Sequence, residues 1–336
     1  MLILAIESSC DETAVAVVND RREVSANLVA SQIDLHRQFG GVVPEVAARA
    51  HLEVILPLIA QALTDAGIAP SDLDAIAVTH RPGLIGALLI GVTAAKTLSW
   101  TWNKPLIGVN HLEAHLAAAT FAFPEITYPY VALIASGGHT DLFHVPAVGV
   151  YEKIGGTLDD AAGEAFDKAA KILGLGFPGG PAIAAAAERG NPAAFNWRDA
   201  CLPRKNPRDF SFSGIKTGVL YAARGLAGRR GELLLDEQGV ADAAASFQAA
   251  AVRALVKRTV GAAREKGVRW LAVGGGVAAN KALREAIKAA AAKIHCQTAI
   301  PPFHLCTDNA VMIAARGLEM FAAGEFADLT LDAAAR

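Results

Sequence analysis

The chain has 336 residues, 31 Lys and Arg against 33 Asp and Glu, and a formal net charge of −2. Hydrophobic residues make up 53% and charged residues 19%, which excludes disorder as the dominant state. A chain of this length buries a core without disulfide staples. The near-neutral balance excludes a global basic field, so any nucleic-acid contact must come from a local patch or a partner.

At about 150 residues per domain, two domains are expected. The N-terminal segment Leu-Ile-Leu-Ala-Ile at 2–6, a polar turn and Ala14–Val18 read as strand, turn, strand. Helices are predicted over 44–66 and 84–102, with strands at 74–79 and 105–109. The strand–turn–strand grammar recurs at 130–145 around Ser136-Gly137-Gly138-His139-Thr140. Two copies, one near the start of each half, predict a duplicated architecture. Further on come a helix around 160–173, a Gly/Pro loop at 174–181 and an irregular stretch at 190–214. A long Ala-rich helix over 239–266, a strand at 269–273 and a helix from about 280 complete the pattern. Alternating helices and strands make the class α/β. Pro124 and Pro129 mark the division between the halves.

Cys10, Cys201, Cys296 and Cys306 form no C-x-x-C pair and are expected to be reduced thiols. No basic leader precedes the first apolar run, and no stretch approaches 18 residues free of charges and turns, so a cytoplasmic chain without a membrane span is expected.

His111-Leu-Glu-Ala-His115 stacks two imidazoles on one helical face, a spacing that suits one divalent ion. Two exposed histidines on an ordinary helix is the plainer alternative. A third ligand is needed, and Asp308 in Cys-Thr-Asp-Asn is the candidate. The motif is not H-E-x-x-H: Glu113 lies on another face of the helix, which counts against a peptidase. Three Gly-rich loops, 136–138, 178–181 and 274–276, can each be a turn; together, two of them beside helix starts, they suggest a nucleotide cradle. None matches a P-loop or a dinucleotide fingerprint. Asp11 and Glu12 at the first hairpin tip are candidate proton acceptors or simply a solvated turn. Asp159, Asp160 and Glu164 suit a helix N-terminus, whereas Asp167 lies too far inside for a cap and can address a ribose hydroxyl. Arg204, Lys205 and Arg208, and Arg224 with Arg229 and Arg230, are modest basic clusters where phosphate contacts would be sought.

With these segments assembled, the chain closely resembles the bacterial TsaD (Gcp, YgjD) family of tRNA adenosine threonylcarbamoyltransferases. The matching segments include 6–13, 40–45, 82–88, 111–115, 136–140, 159–168, 177–181, 209–217, 274–280 and 306–309. The resemblance implies an actin-like ATPase fold of two related domains with a nucleotide in the cleft between them. Residues 1–125 would form the N-terminal domain carrying the His pair. Residues 126–300 would carry the adenylate loops, and 301–336 would supply Asp308 and return to the first domain. The implied reaction moves a threonylcarbamoyl group from threonylcarbamoyl-AMP to N6 of adenosine 37 in tRNAs reading codons that begin with A. AMP is the leaving group. The resemblance assigns one metal, Fe(2+) or Zn(2+), to His111, His115 and Asp308, and an adenine nucleotide (threonylcarbamoyl-AMP, AMP or ATP) to Ile134, Ala135, Ser136, Gly137, Gly138, Asp167, Gly180 and Asn280. It leaves Asp11 and Glu12 as candidate catalytic carboxylates. It implies tRNA, a TsaB-type paralogue, a TsaE-type ATPase and a TsaC-type synthase as partners. Archaeal relatives carry a tyrosine at the position of Ile134, and some relatives a polar residue at Ala184; neither side chain here can coordinate metal or bind ribose. The alternative reading is an ATPase or kinase on the same fold, whose usual Mg²⁺ sites use oxygen ligands.

Overall fold

The computed structural model describes residues 1–197, 206–225 and 232–336. The chain divides into two compact units, Met1–Glu125 with Thr307–Arg336, and Ile126–Cys306. Residues 301–306, expected in the C-terminal segment, cluster with the second unit.

The first unit opens on a meander of β1 (Leu2–Glu7), β2 (Glu12–Asn19) and β3 (Val24–Ser31). After α1 (Ile33–Arg37) and α2 (Pro44–Ala66) come β4 (Ala75–Arg81), α3 (Ile85–Trp102), β5 (Leu106–Asn110) and α4 (His111–Ala122). The sheet order is β3-β2-β1-β4-β5, with β4 parallel to β1 and to β5. β1 is an unbroken apolar run because both of its faces are covered. Leu4 and Ile6 share a core with Val15, Val17, Ile55, Ile59, Ile76 and Val78. On the other face lies the chain's last helix, Ala310–Ala322, where a side chain at Gly317 would come within 2.9 Å of Ala77 Cβ.

Helix α2 buries Ala47, His51, Ile55, Ile59 and Ala62, positions close to four apart that form one face. Its most apolar 18-residue window has mean hydropathy 1.4, so among the described residues it is the one helix long and apolar enough to cross a membrane by length and composition. It escaped the sequence criterion because Glu45, Arg49, Glu53 and Asp65 interrupt it.

The second unit contains β6 (Tyr130–Ala135), β7 (Thr140–Ala147), β8 (Val150–Gly156), α5 (Ala162–Leu173), α6 (Gly179–Ala187) and α7 (Ser213–Arg224). It continues with α8 (Glu237–Lys266), β9 (Trp270–Gly274), α9 (Lys281–Ala292), β10 (Gln297–Ala299) and α10 (Phe303–Cys306), after which α11 (Ala310–Ala322) belongs to the first unit. Its sheet order, β10-β9-β6-β7-β8, repeats the first: an antiparallel three-strand meander whose first strand also pairs in parallel with a later one. β1 ends with Glu7 opposite Ala14, and β6 ends with Ala135 opposite Thr140. The two copies of the hairpin grammar therefore occupy equivalent places.

Local capping adjusts the predicted boundaries. α8 starts at Glu237 because Asp236 Oδ1 accepts from Gly239 N at 2.8 Å. The predicted 174–181 loop gives up Gly179, Gly180 and Pro181 to the first turn of α6, where proline's missing N–H costs nothing. Of the basic clusters, Arg204, Lys205, Arg229 and Arg230 lie outside the described residues, as does Cys201. Arg208 pairs with Glu265, and Arg224 donates to the Ile172 carbonyl at 3.1 Å. Cys10, Cys296 and Cys306 are free thiols.

Asp159 does not cap its own helix, as its position suggested; it caps α7. Its carboxylate accepts from Phe212 N at 2.7 Å, Ser213 N at 3.2 Å and the Ser211 and Ser213 hydroxyls. Asp160 accepts from Lys168 and Lys216. Burial by itself would raise both carboxyl groups, but these partners outweigh it and hold both below the ordinary carboxylate range. A depressed folded-state value contributes stability above the unfolded value of about 3.9, lost as pH falls through the folded value. Asp159→Ala should thus lower unfolding free energy at pH 7 by about 1–2 kcal/mol, with the gap to the parent closing below about pH 4. Urea unfolding at several pH values checks this; a gap independent of pH would count against the cap.

Candidate metal centre and adenylate loops

Helix α4 begins at His111 itself because Asn110 caps it, its side-chain oxygen accepting from Leu112 N at 2.9 Å. His115 follows one turn later, and the two rings meet edge to face with centroids 4.7 Å apart. Asp308 arrives just before α11, whose start Asn309 caps by accepting from Met312 N at 3.1 Å. Its Oδ1 lies 3.2 Å from His115 Nε2 and 3.6 Å from His111 Nε2. All three residues belong to the first unit.

One ligand atom from each of the three lies within 4.8 Å of the others. Two imidazole nitrogens and a carboxylate oxygen suit a zinc-like ion, for which ligand bonds of 2.0–2.1 Å imply tetrahedral edges of about 3.3 Å. His111 Nε2 and His115 Nε2 both face Asp308 Oδ1, so three donor atoms converge on one point. The residues fit a bound divalent ion. Burial would lower His111, but the charges of Asp308 and Glu7 overcome it and push it up to about 9. His115 stays lowered, because burial and the His111 charge outweigh Asp308. The group therefore favours one positive charge at its centre. Glu113 faces away and pairs with Arg316 at 3.0 Å.

Asp11 and Glu12 sit half-buried where the first turn enters β2. Asp11 accepts from Gln32 N through its carbonyl at 3.0 Å, and Glu12 accepts from the Ser31 hydroxyl at 3.1 Å. Burial, then the neighbouring Asp11 and Asp308, push Glu12 up to about 9, so it holds its proton near neutral pH. Burial and the same acidic neighbours push the Cys10 thiol far up as well. Two residues overlooked in the sequence reading support this turn and the histidines. His51 on α2 contacts the Cys10 carbonyl through Nε2 at 3.0 Å and the Thr13 hydroxyl through Nδ1 at 2.7 Å. Glu7 contacts His111 Nδ1 at 3.0 Å. His51 was detectable as a polar residue on the apolar face of α2; Glu7 closes an apolar strand, which is a weaker signal.

In the second unit, Ser136, Gly137 and Gly138 form the turn after β6. The turn is closed by Ser136 N donating to His139 O at 2.8 Å and supported by Gly163 N donating to Ser136 O at 3.0 Å. Gly137 and Gly138 are exposed, and a Cβ on either would meet open space. Close approach is needed behind the turn: a Cβ on Gly163 would sit 2.6 Å from Ser136 O, and one on Gly275 2.4 Å from Ala135 O. The turn and the Gly275 loop lie together at the C-terminal ends of parallel β6 and β9, where open α/β sheets bind ligands. Ile134 and Ala135 sit in the sheet instead, buried at 1% and 0% exposure, with Ile134 paired to both Asp141 and Gly274. Asp167 Oδ1 accepts from Gly179 N at 2.7 Å, capping α6 beside Gly180, so it is a cap after all, for a different helix. Asn280 caps α9 through Leu283 N at 3.0 Å and donates to Gln248 Oε1 at 2.8 Å. Gln248 lines a cavity of about 570 Å³ between α6, α8 and α9, with Ala187, Val252, Arg253 and Ala282.

The chain matches the family model TsaD, described as tRNA N6-adenosine threonylcarbamoyltransferase, over residues 23–315. It is 53% identical over 335 residues to the Symbiobacterium thermophilum protein of that name, covering 99% of this chain and 95% of that one. Among solved structures it is similar to HypF of T. kodakarensis, with TM-score 0.63 at 16% identity, covering 98% of this chain and 49% of that one. It is also similar to component A of the Acidaminococcus fermentans (R)-2-hydroxyglutaryl-CoA dehydratase, with TM-score 0.54 at 16% identity over 96% of this chain and 99% of that one. At such identities the structures speak for the fold, and it is the actin-like ATPase fold. The chain belongs to the TsaD family of tRNA N6-adenosine threonylcarbamoyltransferases.

Proposed function

We propose that this chain transfers the threonylcarbamoyl group of threonylcarbamoyl-AMP to N6 of adenosine 37 in tRNAs reading codons that begin with A. The observation that carries the reading is the His111–His115–Asp308 group on a chain of this family. The N6 amine attacks the carbamoyl carbon, a C–N bond forms, the C–O bond to phosphorus breaks, and AMP leaves with the electron pair. An iron or zinc ion held by His111, His115 and Asp308 would supply positive charge and Lewis acidity to the phosphate leaving group. In the second unit, the backbone N–H groups of Gly137 and Gly138 take the phosphate, since no side chain bars their approach. Asp167 and Gly180 at the start of α6, and Asn280 at the start of α9, hold the ribose and adenine, with the Gln248 cavity as room for the base. Ile134 and Ala135 contribute backbone shape behind the turn. Asp11 orients the amine or accepts its proton, and Glu12, holding its own proton, donates a hydrogen bond. Because N6 is a weak nucleophile, placement supplies much of the acceleration.

In the same reading, residues 1–125 with the C-terminal segment serve the metal, and the middle of the chain serves the adenylate. The substrate RNA follows from the family's reaction. A net charge of −2 supports a partner completing the tRNA surface, in the roles of a TsaB-type paralogue and a TsaE-type ATPase, with a TsaC-type synthase supplying the adenylate. Such a system works in the cytoplasm, where tRNA is modified. The test is reconstitution with those partners, threonylcarbamoyl-AMP and unmodified tRNA, scored by mass spectrometry of digested nucleosides. Threonylcarbamoyladenosine that depends on this chain is the expected result. ATP turnover without modified nucleoside would move the assignment to an ATPase or kinase of the same fold.

A further inference from the structure

We propose that Glu7 is the positioning residue that orients His111 and sets the affinity of the metal centre; this rests on the metal reading above. Glu7 is fully buried at the last position of β1. Its Oε2 accepts from the Thr79 hydroxyl on β4 at 2.6 Å and lies 3.0 Å from His111 Nδ1, while Oε1 accepts from Ser9 N. Ser9 Oγ lies 3.1 Å from the same Nδ1. Both oxygens of Glu7 already accept, from Ser9 N and the Thr79 hydroxyl, so Nδ1 is the nitrogen that donates to it, and Nε2, which faces Asp308, is the one left for an ion. When an ion displaces the Nε2 hydrogen, the ring is already held by Nδ1 in the orientation the ion requires.

Two further observations separate this role from mere packing. Among the described residues no Lys or Arg pairs with Glu7, so the positive charge opposite this buried carboxylate must come through His111, carried by the ring itself or by an ion on its Nε2. Secondly, the duplicated hairpin carries Ala135 at the equivalent register position, so the strand–turn–strand architecture itself has no need of a carboxylate there. His115 Nδ1 has no comparable partner, which leaves His111 as the pre-oriented ligand of the pair.

The experiment titrates the metal-free full chain with Zn²⁺ against a chromophoric chelator, and with Co²⁺ for its visible absorption, in the parent, Glu7→Gln, Thr79→Val and His111→Ala forms. The parent should take up one ion and His111→Ala none. Glu7→Gln should bind Zn²⁺ about 10–100-fold more weakly, with an altered Co²⁺ spectrum and a parent-like far-ultraviolet circular dichroism spectrum without metal. Thr79→Val, which touches Glu7 but not the histidine, should weaken binding by a smaller factor. Parent-like affinity and spectrum in Glu7→Gln would overturn the inference while leaving the metal centre standing. Should Glu7→Gln fail to fold, parent-like affinity in Thr79→Val does the same. No ion bound by the parent would instead sink the metal reading, and the role of Glu7 with it.

Discussion

Replacing His111 with alanine is expected to reduce bound metal from one ion per chain to none and to slow threonylcarbamoyl transfer on the order of a thousandfold. The size follows from the several kcal/mol that a metal contributes to a developing phosphate charge, at about 1.4 kcal/mol per factor of ten. The geometry makes His111 the critical member. Its Nδ1 is occupied by Glu7 and Ser9, so only Nε2 is directed at Asp308 Oδ1, and no other described side chain offers a third donor atom to the group. The fold should survive, because His111 opens α4 rather than anchoring its middle, and the Asn110 cap that starts the helix is untouched. Metal analysis, circular dichroism and the nucleoside assay on one preparation decide the matter. Full metal content in the variant would overturn the ligand assignment; a lost fold would show in the far-ultraviolet spectrum.

Gly275→Ala should be strongly damaging to the second unit, because strain and a backbone clash coincide there. Gly275 has φ +84, in the region that side chains avoid, and an added Cβ would stand 2.4 Å from the Ala135 carbonyl oxygen and 2.7 Å from its carbon. Both atoms are backbone in a central strand, so neither yields cheaply. Strain and clash together should lower stability by about 2–4 kcal/mol, a drop in melting temperature on the order of 5–10 °C. Gly276, the next residue, has open space around its Cβ position and an ordinary φ. Gly276→Ala should stay within about 0.5 kcal/mol of the parent. Thermal melts of the two variants side by side test the packing of the Gly-rich loop on the strand end, and equal melting temperatures would contradict it.

The outline of this molecule was legible because its signals are local. Alternating apolar runs broken by a polar turn mark a strand–turn–strand unit wherever they occur. The unit at Leu2–Asn19 and its copy at Tyr130–Ala147 therefore announced the duplication that the two sheets display. The four-residue step from His111 to His115 places both rings on one face of any helix. Glycines that admit close approach announce themselves by composition at 136–138 and 274–276. Motif order along the chain, from residue 6 to residue 309, was enough to indicate the family.

Partnerships between distant segments needed the tertiary structure. The contact of Thr79 with Glu7 spans 72 positions, and that of His111 with Glu7 spans 104. Both depend on β4 lying next to β1 and β5 next to β4, an order that no local pattern encodes. Asp159 and Asp167 read as one helix's own acidic residues, yet each caps a different helix brought alongside. Ile134 and Ala135 read as part of a binding loop, but hydrogen bonding on both sides of Ile134 draws them into the sheet and leaves the turn beginning at Ser136. Periodicity and turn chemistry act between near neighbours and so are written in the sequence. Which carboxylate ends up buried behind which histidine is decided only when the sheet closes its order.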